Sequence, residues 1–206
     1  MKRLLVATMN PGKVRELAAA LAPSGIELFG LDHLDDRGEV EETGATFEEN
    51  AKLKAEGYSL RTELPVVADD SGIEVDALGG EPGVRSARYG GAGLDDTDRY
   101  LKLLEALRGV PDERRTARFR CVLAVARAGR TLATFEGVVE GRILHEPRGE
   151  NGFGYDPLFF HPESGRGFAE LTTAEKQRYS HRGQAIAALL RAIDGGDPRL
   201  AGADPG

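Results

Sequence analysis

Residues 4–22 read LLVATMNPGKVRELAAALA, and this stretch decides the fold class. Leu4 to Ala7 is an apolar run with the length of a buried strand. A turn containing proline and glycine follows, and from Lys13 to Ala22 the apolar residues recur at helical spacing. A strand that runs through a tight turn into a helix is typical of the first unit of an α/β protein. We therefore predict an α/β fold.

The rest of the chain continues to alternate between strand and helix patterns. Apolar runs predict further strands at 26–31, 66–68, 73–75, 118–128, 131–139, 141–144 and 158–160. Capping-box patterns that begin at Thr46 and at Thr172 predict two helix N-termini. We predict one domain over 1–193. Residues 194–206 are rich in glycine, proline and aspartate, which predicts a flexible C-terminal tail.

Composition and charge limit the partners and the cellular setting. The 206 residues carry a formal net charge of −7, and an acidic protein repels nucleic acid on average. No apolar stretch approaches the roughly 18 residues of a membrane span, and the N-terminal apolar run is too short for a signal peptide. The single cysteine, Cys121, lies in an apolar run and cannot form an intrachain disulfide. We therefore expect no nucleic-acid partner, no membrane and a reducing, cytoplasmic setting.

Two segments that follow strands carry groups suited to phosphate and metal. The turn over 8–13 offers backbone N–H groups at a helix N-terminus, with Lys13 beside them, although it does not match the P-loop pattern. Asp69-Asp70-Ser71-Gly72 follows a buried run, and we predict that the chain turns away at Ser71-Gly72 and presents Asp70 to Mg²⁺. The alternatives are an ordinary turn with an exposed lysine and a solvated aspartate turn.

Three further segments add candidates. The acidic segment 39–44 would place a glutamate opposite Asp70, and Asn50 and Lys54 share a face of the next helix. The glycines and aromatic residues of 149–157 favour a stacking surface for a planar ring. Basic residues lie near helix ends at Lys176 and in 180–183. The alternatives are a solvated loop, a hairpin whose aromatic residues fill the core, and cations that satisfy helix dipoles.

The order of these motifs resembles that of the inosine triphosphate pyrophosphatase family over residues 3–192. The motifs that carry the resemblance are ATMNPGK (7–13), ETG (42–44), FEENA (47–51), ADDSG (68–72), LGGEPG (78–83), SARY (86–89), GFGYDP (152–157), ELT (170–172), EK (175–176) and SHRG (180–183). The resemblance implies an elongated, two-lobed mixed sheet with flanking helices, a central cleft for the substrate, and a homodimer.

The resemblance also implies a reaction. Relatives of this kind use Mg²⁺ to hydrolyse the deaminated purine nucleoside triphosphates ITP, dITP and XTP to monophosphate and pyrophosphate, which keeps these bases out of DNA and RNA. Hypoxanthine and xanthine have an acceptor where adenine has an amino donor, so buried donors in the site would reject adenine. The alternatives are a pyrophosphatase for other modified or standard nucleotides and a non-catalytic nucleotide sensor.

The resemblance assigns roles residue by residue. Asp70 would bind the metal and accept the proton of the attacking water, and Lys54 would assist at the phosphates. Either Glu41 or Glu42 would be a second metal ligand. The substrate contacts would be Thr8, Met9, Asn10, Pro11, Gly12 and Lys13 at the triphosphate, Ser71 beside Asp70, and Phe153, Gly154, Tyr155, Asp156, Lys176, His181 and Arg182 at the base.

Overall fold

The computed structural model describes residues 1–203, which form strands and helices in alternation. The strands are β1 (Arg3–Val6), β2 (Glu27–Phe29), β3 (Val66–Val75), β4 (Thr116–Arg127), β5 (Arg130–Ile143), β6 (Phe159–His161) and β7 (Arg166–Gly167). The helices are α1 (Pro11–Leu21), α2 (Phe47–Ser59), α3 (Asp96–Ala106), α4 (Thr173–Tyr179) and α5 (His181–Asp194). Within residues 1–203, no helix has both the length and the apolar character needed to cross a membrane.

The seven strands form one mixed sheet in the order β2-β1-β3-β4-β5-β6-β7. Strand β1 pairs in parallel with β2 and with β3, as expected where helices α1 and α2 connect successive strands. Strands β5, β6 and β7 pair antiparallel. The predicted fold class, a mixed sheet with flanking helices, is confirmed.

The first of two compact units comprises Met1–Asp70, Cys121–Gly137 and Arg182–Gly206. Its core brings together apolar residues of β1, α1, β4 and α5, among them Leu4, Leu21, Leu123 and Leu189. These side chains are completely or almost completely buried, so the N-terminal strand and helix are fixed against the C-terminal helix.

The second unit comprises Ser71–Arg120 and Val138–His181. Its core is rich in aromatic residues: the ring centroid of Phe119 lies 4.6 Å from that of Phe159 and 5.9 Å from that of Phe168. Leu103 and Leu107 bring α3 and the residue that follows it into the same cluster. Both ends of the loop over 144–158 leave from this core.

The predicted turn at Ser71-Gly72 is wrong, because β3 continues without interruption to Val75. Gly72 allows a neighbouring segment to approach the strand closely; it does not form a turn. A Cβ at Gly72 would lie 2.4 Å from Ser86 Oγ, and the same hydroxyl accepts a hydrogen bond from Ile73 N at 2.9 Å. The short Ser-Gly pair therefore lets the segment around Ser86 pack directly on the strand.

Two other sequence predictions need correction. The runs at 131–139 and 141–144 are one strand, β5, because Gly141 passes close to Phe159 and Phe160 of β6 without breaking the ladder. The predicted flexible tail over 194–206 contains a 3-10 helix at Pro198–Ala203, and Leu200, only 6% exposed, packs into the first unit's core. Residues 204–206 of that tail lie outside the described residues.

Candidate active site

Two adjacent carboxylates lie in the middle of β3, where the first unit ends. Asp69 is 1% exposed and Asp70 is 6% exposed, so both are withdrawn from water. Burying a carboxylate is costly unless cations and hydrogen bonds compensate it. The two side chains meet this requirement with different partners.

Asp69 is held between two cations. Lys13 Nζ lies 2.7 Å from Asp69 Oδ1, and Arg182 Nη2 lies 2.9 Å from Asp69 Oδ2. Burial alone would raise the pKa of Asp69, but Lys13 and Arg182 outweigh this effect and hold the pKa well below its usual range. Asp69 is therefore ionised at any physiological pH and fixes the position of the lysine ammonium.

Arg182 is itself anchored on both sides. Its Nη1 group donates to Glu16 Oε2 at 2.5 Å while its Nε group donates to Asp69 at 3.0 Å. Burial would lower the pKa of Arg182, but Asp69 and Glu16 raise it above its usual value. The four side chains Glu16, Arg182, Asp69 and Lys13 thus form a buried network of two positive and two negative charges, which we call the ion network.

Glu16 is a member of this network that the sequence reading missed. It lies three residues after Lys13 in α1, so the two side chains share one side of the helix. The i, i+3 spacing from Lys13 was the signal in the sequence, and it indicates only that the two side chains can lie close together. Arg182, expected at the base, instead directs its guanidinium group to two carboxylates.

Asp70 lies beside a lysine and a glutamate. Lys54 Nζ is 3.7 Å from Asp70 Oδ1 and 3.3 Å from Glu42 Oε1. Burial raises the pKa of Asp70 to about 6; Lys54 and Lys13 act in the opposite direction, and Glu42 and Asp69 add to the increase. Glu41 is exposed, so of the two glutamates it is Glu42 that lies at Asp70.

Helix α2 positions Lys54 and shapes the glutamate loop. The predicted capping box is present, with Thr46 Oγ1 accepting from Glu49 N at 3.1 Å. Asn50, which was predicted to share a helix face with Lys54, is fully buried, and its Oδ1 accepts from Gly44 N at 2.8 Å. The amide therefore fixes the loop just after Glu42.

The turn before α1 is more internally bonded than its sequence indicates. The helix begins at Pro11, and Asn10 Oδ1 accepts from Gly12 N and Lys13 N at 2.8 and 3.2 Å. Thr8 Oγ1 accepts from Asn10 N at 3.2 Å, and Met9 is 72% exposed. Three backbone N–H groups of the turn are thus already bonded, and the polar side chains Thr8, Asn10 and Lys13 remain as groups that it can offer to an anion.

The second unit carries a separate cluster around Asp156. Asp156 Oδ2 accepts from Phe153 N at 2.8 Å and from Lys176 Nζ at 2.5 Å. The same ammonium lies 4.7 Å from the centroid of the Phe153 ring, a cation–π distance. Asp156 and Lys176 are buried and Phe153 is half-buried, so an aromatic ring is held at the surface by a buried ion pair.

Three further candidates of the second unit are buried or half-buried. Tyr155 was expected to help form a stacking surface, but it is 6% exposed and donates its hydroxyl hydrogen to Ser86 O at 2.8 Å. His181 stacks on Phe119 at 4.8 Å and is 4% exposed. Ser71 is half-buried on β3. Of the two aromatic residues, Phe153 is the one with surface to offer a planar ligand.

Known proteins share both the sequence and the fold of this chain. The Ham1 family model matches residues 4–192. The dITP/XTP pyrophosphatase of Geobacillus kaustophilus is 54% identical over 92% of this chain and 93% of its own length, and that of Thermus thermophilus is 55% identical over 95% and 94%. A solved structure, a HAM1 protein from Coxiella burnetii, has a TM-score of 0.86 at 40% identity and covers 95% of this chain and 100% of its own. The predicted resemblance is confirmed, and this chain belongs to the Ham1 family.

Proposed function

We propose that this protein hydrolyses ITP, dITP and XTP to the nucleoside monophosphate and pyrophosphate. The observation that carries the proposal is the pair Asp69 and Asp70, in which one buried carboxylate fixes Lys13 and the other lies with Lys54 and Glu42. Two lysines beside a carboxylate whose pKa is raised are the groups that hydrolysis of a phosphoanhydride requires. The relatives named dITP/XTP pyrophosphatase support the choice of substrate.

The residues present fit a magnesium ion that is shared with the substrate. Asp70 and Glu42 both lie within 4 Å of the Lys54 ammonium, and Glu42 contributes to the raised pKa of Asp70. A divalent cation would relieve that repulsion and bind through carboxylate oxygens, which Mg²⁺ prefers. Among the described residues, no three acidic, histidine or cysteine side chains form a ready metal site. Two carboxylates and the substrate phosphates would therefore hold the ion together, and when bound it would neutralise phosphate charge.

The residues of the chain supply the proton transfer and the charge. The water oxygen forms a bond to the α phosphorus, the bond from that phosphorus to the bridging oxygen breaks, and pyrophosphate leaves with the bonding electrons. The Asp70 carboxylate accepts the water proton, for which a pKa near the working pH is favourable. Lys13 and Lys54 stabilise the negative charge that builds up on the leaving pyrophosphate.

Base recognition is proposed for the cluster around Asp156. Phe153 offers a ring for stacking, and Lys176 offers an ammonium donor to the oxygen at the six position, which adenine lacks. The Arg182 guanidinium is bonded to Asp69 and Glu16, so Phe153 and Lys176 are the side chains proposed for the base. We also propose that the protein is cytoplasmic and forms a homodimer. Light scattering would show the dimer as a particle of twice the 22.1 kDa chain mass.

A product assay tests the proposed function directly. With ITP and Mg²⁺ we expect IMP and pyrophosphate as products, a much lower rate with ATP, and no turnover after chelation until Mg²⁺ is restored. Chromatography of the nucleotides with a pyrophosphate-specific assay gives both products. IDP with orthophosphate would contradict the reaction, and equal rates for ITP and ATP would contradict the substrate class.

The pH dependence of kcat/KM tests the role of Asp70. The proton acceptor must be ionised, and the pKa of Asp70 without a bound metal is raised to about 6, so kcat/KM measured at subsaturating Mg²⁺ should fall as pH decreases through this range. We expect a plateau above about pH 7 and a tenfold loss per unit below about pH 5.5. Steady-state rates from about pH 4.5 to 9 give the profile, with circular dichroism at each pH to confirm folding. A flat profile down to the lowest pH would remove Asp70 from the role of base.

A further inference from the structure

The loop that carries Phe153 is anchored by an acidic residue on a distant helix. Gly154 N donates to Asp96 Oδ2 at 2.8 Å, across 58 positions of sequence. Both partners belong to the second unit. Asp96 is the first residue of α3, and its side chain is about half exposed. This contact joins the tip of the loop to a helix that carries none of the residues assigned so far.

The loop has little intrinsic preference for one conformation. Gly152 and Gly154 have φ angles of +79° and +62°, in the left-handed region, and glycine at such positions leaves the chain free to adopt others. Backbone hydrogen bonds hold its ends, and side-chain contacts add to them at Phe153 and Gly154. Asp156 Oδ2 holds Phe153 N from within the loop, and Asp96 Oδ2 holds the next backbone N–H from outside it.

Asp96 is not required to cap its own helix. Asp95 performs that task, because its Oδ1 accepts from Asp98 N at 2.8 Å. Asp96 is instead oriented by Arg99, whose Nη1 group donates to Asp96 Oδ1 at 3.2 Å. The positive end of the helix dipole favours a negatively charged group at this position, and a carboxylate is a stronger hydrogen-bond acceptor than a neutral oxygen.

We propose that Asp96 is a positioning residue for base recognition, because its carboxylate fixes Gly154 and thereby the orientation of the Phe153 ring. The inference rests on the proposed function, in which Phe153 stacks on the purine. Asp96 does not contact the substrate itself. Its loss loosens the loop and weakens binding of the base, while proton transfer at Asp70 is unaffected.

The test compares Asp96→Ala, Asp96→Asn and Asp98→Ala with the wild type. Loss of one such hydrogen bond should raise KM for ITP about 3- to 10-fold in Asp96→Ala, with kcat within about twofold of wild type. Asp96→Asn keeps an acceptor oxygen and should recover most of the loss. Asp98→Ala removes a charge from the same helix turn without touching the loop, so its KM should stay at the wild-type value.

Inorganic tripolyphosphate, used as a competitive inhibitor, separates the base from the phosphates. It has no base, so its inhibition constant should be the same in Asp96→Ala and wild type. Thermal unfolding confirms that each variant is folded, and Asp96→Leu, which also removes the acceptor, replaces Asp96→Ala if that variant does not fold. An unchanged KM in the folded variant that lacks the acceptor, an equal rise in Asp98→Ala, or weaker inhibition by tripolyphosphate would overturn the inference. Failure of wild type to prefer ITP over ATP would instead overturn the proposed function.

Discussion

Asp70→Asn should lower kcat for ITP by at least about 100-fold, the loss expected when a general base is removed. The substitution preserves the size of the side chain and removes its charge and its capacity to accept a proton. Asp70 lies near the Lys54 ammonium and Glu42, so the lysine keeps a carboxylate partner in the variant. The measurement is kcat at saturating substrate and Mg²⁺.

The same variant should be at least as stable as the wild type. The pKa of Asp70 in the folded chain is about 6, above the value of 3.8 for a free side chain, so the folded state binds the proton more tightly. Folding stability from this group is therefore lost as pH rises from about 4 to 6, and above that range the ionised side chain costs about 2 to 3 kcal/mol. Asp70→Asn removes that cost, and chemical denaturation at about pH 8 without metal should show it. An Asp70→Asn variant that is active would contradict the role of Asp70 as the base, and one that is destabilised would contradict the cost of its buried charge.

Asp69→Asn should do the opposite and destabilise the fold by about 3 to 5 kcal/mol, the loss expected when one member of a buried ion pair is removed. The variant would leave Lys13 and Arg182 near each other with Glu16 as the remaining carboxylate of the ion network. The free energy of unfolding in urea measures the loss. The burial of Asp69 and its two cations make it the more damaging of the two positions for stability.

A matched control uses the same chemical change at the surface. Asp36 pairs with Arg61 at 3.4 Å, but its side chain is 70% exposed. Asp36→Asn should cost no more than about 1 kcal/mol, as exposed pairs do. The double variant Arg182→Met with Asp69→Asn should lose less free energy of unfolding than the sum of the two single variants. Each single change leaves its partner's charge unpaired, and the second change removes that charge. Equal losses at positions 36 and 69 would contradict the importance of the ion network.

Local patterns were sufficient for part of the fold. The helix α1 and the capping boxes at Thr46 and Thr172 form as predicted, because their hydrogen bonds join residues a few positions apart. Strand β1 also forms within the predicted apolar run, although its partners β2 and β3 lie far along the chain. The course of β3 was not predictable in this way. Whether the chain turns after Asp70 depends on Ser86, which lies 13 residues beyond the Ile73 amide that it binds.

The same distinction applies to the site. The motif order predicted that Asp70, Lys54 and the glutamate loop share one site, and the structure brings Asp70, Lys54 and Glu42 together. The partners of Arg182 could not be read from sequence, because its guanidinium reaches residues 113 and 166 positions away. A basic residue near a helix end can bind a ligand, interact with a helix dipole or form an ion pair. The folded structure is needed to distinguish these roles.

The ion network also has a consequence for how the chain is made. Protein synthesis proceeds from the amino terminus, so Lys13 and Asp69 leave the ribosome long before Arg182, which follows Asp69 by 113 residues. Until Arg182 is synthesised, Lys13 is the only cation of the ion network beside the Glu16 and Asp69 carboxylates. The first unit cannot close around these charges during translation, and its burial of Asp69 has to wait until α5 has emerged. A nascent chain that stalls before position 182 therefore exposes apolar residues of an incompletely packed core. Chaperones and proteases act on such chains.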